Sequence, residues 1–231
     1  MKSAKASRPF SSAHSLAELV IILLAICASF DVIAIAIGGY QMTLTNNDTP
    51  PIIGTLQLVA RFTAFTVFLI WFYRAHRNLQ ALGIRRGRYS SPWTVLLFLV
   101  PILNLYYAYD LVKELWRQSS PDLGFSDDFL KQNAFTLEHY PSKTALIGLW
   151  WGFTIASLLA ARFSDRITGT WMDLTSDALA AVASILLILI VKNIDARQEE
   201  KHRRLTLDAV TRKAIDLVVA TEFSRAASSK N

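Results

Sequence analysis

Cysteine is almost missing from this chain: Cys27 is the single one among 231 residues, and it lies inside a long apolar run. That excludes an internal disulfide and a cysteine-rich metal site. The four histidines, His14, His76, His139 and His202, are scattered. No serine or cysteine nucleophile sits in a motif, and no glycine-rich phosphate loop occurs. Internal repeats are lacking too, as are low-complexity blocks apart from the polar end "SRAASSKN". Without nucleophile, base or metal ligands in any chemical arrangement, the expectation is a protein that is not an enzyme and binds neither cofactor nor metal.

What is present is apolar sequence. Hydrophobic residues make up 52% of the chain and mean hydropathy is +0.32, high for a soluble domain. They gather in runs of the length a helix needs to cross about 30 Å of hydrocarbon. Four runs read as spanning helices: Leu16–Tyr40, Ile53–Tyr73, Thr144–Phe163 and Leu174–Ile194. A helix suits lipid because it satisfies its own backbone hydrogen bonds. Lys2, Lys5 and Arg8 precede the first run as they would a signal peptide, but the run is longer than a signal core, so it reads as an uncleaved anchor. The net charge of +6 is that of cations flanking spans, and no nucleic-acid partner is expected.

A fifth apolar stretch, in residues 92–117, decides the topology. If it spans, the non-membrane cations divide ten against thirteen; if it turns back, they divide twenty-one against two. The positive-inside rule selects the second arrangement, with both termini cytoplasmic. Thr94–Tyr109 is also short for a span, about 24 Å of helix, and Pro101 interrupts it. Proline removes a backbone donor and disfavours helix in the residue before it, leaving groups that Asn104 is placed to bond. Ser90 and Ser91 before Pro92 supply a helix start. The segment therefore reads as a re-entrant helical hairpin, with a kinked full span as the other reading.

The stretches "WFYRAHRNLQALG" and "SPWTVLLFLVPILNLYYAYDLVKELWR" together resemble the bacterial membrane family of domain of unknown function 4328. The resemblance covers roughly Leu16–Arg197 and rests on Trp71, Tyr73, Arg74, Arg77, Asn78, Pro101, Asn104, Glu114, Leu115 and Trp116. Members usually carry a glycine between the proline and tryptophan of the second motif, whereas Pro92 and Trp93 are adjacent here. The resemblance implies a multi-span bacterial inner-membrane protein and no established activity.

Two ionisable residues stand out inside the spans, Asp31 in the first and Arg61 in the second. Both lie roughly 13 Å from the outer ends of their helices, level with each other if the helices are antiparallel neighbours. A lone charge at that depth is expensive, so the two are expected to pair. Arg74, Arg77 and Asn78 share neighbouring helix faces; their candidate partners are anionic lipid headgroups, Asp110 or Glu114, or the carbonyls freed at Pro101. Glu114 is the sharpest of these, because a planar guanidinium favours a bidentate acid. Trp71, Trp93 and Trp116 are expected in the cytoplasmic interface belt and Trp171 in the outer one, with Trp150 and Trp151 packed toward lipid. Asp122, Asp127, Asp128, Glu138 and His139 read as a solvated loop rather than a metal site.

Residues 195–231 form a basic tail. Glu199 and Glu200 stand four residues ahead of Arg203 and Arg204, a helical pairing, and Leu207, Val210, Ala214 and Leu217 make an amphipathic stripe. Its polar face carries acids as well as bases, which favours packing or dimerisation over lipid. The chain thus reads as an all-α inner-membrane protein: a cytoplasmic segment 1–15, a membrane domain 16–194 and the tail. Its expected role is an interaction or regulatory module, with anionic lipid and a second copy or another membrane protein as partners. The alternative is a small transporter or channel component that uses the re-entrant element and the Asp31/Arg61 pair.

Overall fold

The computed structural model describes residues 10–44, 51–83, 91–121, 145–167 and 170–228. Every regular element among them is a helix: α1 (His14–Leu44), α2 (Pro51–Ala81), α3 (Ser91–Leu99), α4 (Pro101–Gln118), α5 (Ala145–Ile167) and α6 (Thr170–Ser228). Four of these are long and apolar enough to cross a membrane, within His14–Tyr40, Ile52–Ala81, Ala145–Ser164 and Trp171–Thr221. The protein is an all-α membrane protein of four candidate spans. The acidic loop from Asp122 to His139, the cations Lys2, Lys5, Arg8, Arg85, Arg86, Arg88, Lys131 and Lys143, and the cap at Ser90 lie outside the described residues.

The helix ends follow from local chemistry. α2 stops at Gly83, whose φ of +86° is a left-handed conformation that glycine adopts without a Cβ clash. Val100 takes extended angles, φ −86° and ψ +112°, just before Pro101, the first residue of α4, as the proline ring requires of its predecessor. The stretch is thereby divided into helices of 9 and 18 residues, and neither is among the four candidate spans. α6 behaves in the opposite way. With no glycine or proline after Thr170, it runs unbroken for 59 residues, about 88 Å, far beyond what a bilayer needs.

α6 lies between α1 and α5; α2 packs on α1, and the α3–α4 pair packs against α2 and α5. The core sits at one end of this bundle, where α1 begins and α2 finishes. There Val20, Trp71, Phe72, Leu111, Leu115, Ile147, Ile190, Val191 and Ile194 are buried together. At the other end, where the chain passes from α1 to α2 and from α5 to α6, Val32, Ile33, Leu58, Val59 and Phe62 are exposed, as side chains facing hydrocarbon are. Gly38 permits close approach there: a Cβ on it would stand 2.8 Å from Leu174 Cδ2 of α6.

The tryptophans depart from the expected belts. Trp93 and Trp171 are exposed, but Trp71 and Trp116 are buried in the core, and Trp150, expected to face lipid, is buried with them. The reason is the α3–α4 pair, which packs against α2 and α5, together with α6, whose Arg197 covers the Trp116 ring of α4.

Candidate functional site: a charged triad inside the bundle

At the thinly packed end, α1, α2 and α6 each contribute one charged side chain. Arg61 Nη2 donates to Asp31 Oδ1 at 2.6 Å and to Asp177 Oδ1 at 3.3 Å. Gln57, one turn before Arg61, donates its Nε2 to the same Asp31 oxygen at 3.3 Å. The Asp31 side chain is 1% exposed, Asp177 18% and Arg61 44%. One guanidinium nitrogen thus ties three helices together, and the second oxygen of Asp31 is buried with no hydrogen-bond partner. Around the triad, Ser176 of α6 donates to the Ser157 carbonyl of α5 at 3.0 Å, and Ser164 of α5 to Asp173 of α6 at 2.5 Å.

Asp177 is the member that sequence reasoning missed. It lies within the run Leu174–Ile194, three residues from its start, where a carboxylate looks like an interface group. Its depth becomes visible only with the start of α6 at Thr170. Seven residues from the first residue of α6, it reaches about 10 Å into the helix, near the level of Arg61.

The motif residues of α2 and α4 gather at the other end. Arg74 donates to Ser11 Oγ, and Asn78 Nδ2 to the Ser11 carbonyl at 2.8 Å. Arg77 is exposed, and Glu114 accepts from Gln118 Nε2 at 2.8 Å. Asn104 Oδ1 is buried without a donor, and its backbone N–H donates to the Val100 carbonyl at 2.8 Å. The Trp116 ring lies under the Arg197 guanidinium at 4.1 Å, a cation–π contact. Gln198 donates to the Ala75 carbonyl at 3.0 Å and to Ser119 Oγ at 3.1 Å, while the buried Lys201 donates to the Gln118 carbonyl at 3.2 Å. α6 thus grips the ends of both α2 and α4.

The segment before α1 closes the clasp. Phe10 stacks on the His202 ring at 4.1 Å, Ser12 donates to Glu199 at 2.5 Å, and His14 Nδ1 lies 2.7 Å from Asp195 Oδ2. No described group of three or more histidine, cysteine or acidic side chains is arranged to hold a metal ion.

The model of domain of unknown function 4328 matches residues 40–196. The chain belongs to this family. The match takes in α2 to α5 and α6 up to residue 196, ending just before Arg197, Gln198 and Lys201 of the clasp. Within the family's span lie two of the three triad residues, Arg61 and Asp177, whereas Asp31 precedes it. No curated protein and no solved structure matches the chain.

Proposed function

We propose that this member of the family is a non-enzymatic interaction or regulatory module of the bacterial inner membrane, and that its docking surface is the far part of α6. The observation that carries the reading is the exposure of an apolar stripe on the part of α6 that runs on past the bundle. Leu207, Val210 and Leu217 are more than half exposed, and the helix leaves the bundle along its own axis. Its bundle-facing side, marked by Ile194, Gln198 and Lys201, points the other way at 100° per residue. Apolar rows of this kind on a helix are what a second helix covers. A second copy or another membrane protein is the partner class, and anionic headgroups would meet the cations flanking the spans.

Two features support cytoplasmic termini and a re-entrant 92–117: the cation division and the break at Val100, which leaves two helices too short or too polar to cross. A transporter or channel component is the second reading, favoured by the triad. Against it, a bundle of four spans encloses little pathway around those charges in a single copy.

One labelling experiment tests orientation and docking together. In a Cys27→Ser background, single cysteines at Ser120, Val210, Leu217 and Arg212 are exposed to a membrane-impermeant thiol reagent in native membranes. Ser120→Cys should label from the cytoplasmic side only, and Val210→Cys and Leu217→Cys should react several-fold more slowly than Arg212→Cys on the opposite face. Equal rates at the three α6 positions would overturn the docking reading, and labelling of Ser120→Cys from outside would overturn the hairpin.

A further inference from the structure

The triad holds two carboxylates against one guanidinium. α1 contributes Asp31, with the buried thiol of Cys27 one turn away; α2 contributes Gln57 and Arg61. α6 contributes Asp177, with Asp173 one turn nearer the helix start and hydrogen-bonded by Ser164 of α5. Ionised throughout, Asp31, Arg61 and Asp177 carry one negative charge too many for hydrocarbon, where an unbalanced charge is expensive. No described lysine, arginine or histidine other than Arg61 bonds either carboxylate. The guanidinium also favours one acid over the other, at 2.6 Å against 3.3 Å. Meanwhile Asp31, 1% exposed, keeps one oxygen without any partner.

We propose that the triad is a binding site for a single proton, shared between Asp31 and Asp177 and exchanged with water through Asp177. Two acids close to one another do not both ionise freely, so they act as a unit with one proton between them. Uptake takes a proton from hydronium, leaving water, and adds it to one carboxylate oxygen; release reverses this, and no other bond changes. Asp177 is the exchange point because it lies only about 10 Å along α6 from the first residue of that helix and is the more weakly held by Arg61. The proposal is independent of what α6 docks.

Infrared spectroscopy of the full chain in lipid nanodiscs reads this directly, through the carbonyl stretch of a protonated carboxylic acid. At neutral pH the parent should show this band, and it should be lost in Asp31→Asn and in Asp177→Asn, because each leaves one acid to pair with Arg61. Arg61→Gln should roughly double it, since neither acid then has a cation. If one of the aspartate variants does not fold, the other and Arg61→Gln still decide. A missing band in the parent, or a band of equal area in the parent and both aspartate variants, overturns the proposal. Sodium at fixed pH should leave the band unchanged; a band absent in the parent together with a sodium-dependent rise in thermal stability that Asp177→Asn abolishes would make the bound cation sodium instead.

Discussion

The two ends of the bundle are held together by different physics. At the clasped end, α1, α2, α4 and α6 bury Trp71, Phe72, Leu111, Leu115 and Ile194, and several polar bonds run to backbone carbonyls, as from Asn78, Gln198 and Lys201. At the triad end, α3 and α4 are absent, apolar side chains face outward, and one guanidinium bridges three helices. Burial secures the first end by contact area, which tolerates loss in proportion to the atoms removed. The second depends on charge balance, where a single change can unpair a buried group.

The largest break in that comparison should come from Arg61. Arg61→Leu leaves two carboxylates without a cation, and removal of one partner from a buried pair costs about 3–5 kcal/mol. Asp31→Leu should cost less, about 2 kcal/mol, the scale of one charged hydrogen bond, because Arg61 keeps Asp177. Thermal unfolding of the solubilised protein measures both. Equal losses would mean that Asp177 is no real partner, and two variants as stable as the parent would mean that the triad holds nothing.

At the clasped end, Ile194→Ala should cost about 3 kcal/mol through the lost methyl groups and the cavity left behind, with Arg61 unaffected. An effect below 1 kcal/mol would show the core there to be looser than its burial indicates. The smallest effect belongs to the far part of α6. In solubilised, isolated protein, Leu217→Ala should change stability by no more than about 0.5 kcal/mol, as an exposed substitution does. A loss comparable with Ile194→Ala would place Leu217 in a packed interface even under those conditions.

Much of the fold is legible in the sequence because lipid imposes a length and a composition that few other environments do. The four long apolar runs lie on α1, α2, α5 and α6, and the interruption at Pro101 falls where the helix divides. What stayed hidden depended on a neighbour distant in sequence. Trp71 and Trp116 look identical in sequence whether they float at an interface or sit beneath a neighbouring helix, and the α3–α4 pair over α2 and Arg197 of α6 over Trp116 decide between the two. Asp31 and Arg61 were legible as a pair because both lie deep. Asp177, near the end of its run, shows its role only once α6 is seen between α1 and α5. The clasp at Ser11 was not legible either, since the short polar stretch before α1 carries no pattern that points to Arg74 and Asn78.

The continuity of α6 has a mechanical consequence. Asp177 and Leu217 are forty residues apart on one uninterrupted helix, a separation of about 60 Å. Pivoted where α2 and α4 are gripped, about 27 Å from Leu217, a tilt of about 5° sweeps Leu217 sideways by about 2 Å. The grip of Arg197, Gln198 and Lys201 on α2 and α4 lies between the two points, as a fulcrum would. A tilt of α6 at the triad end would thereby reach its far end without passing through any loop.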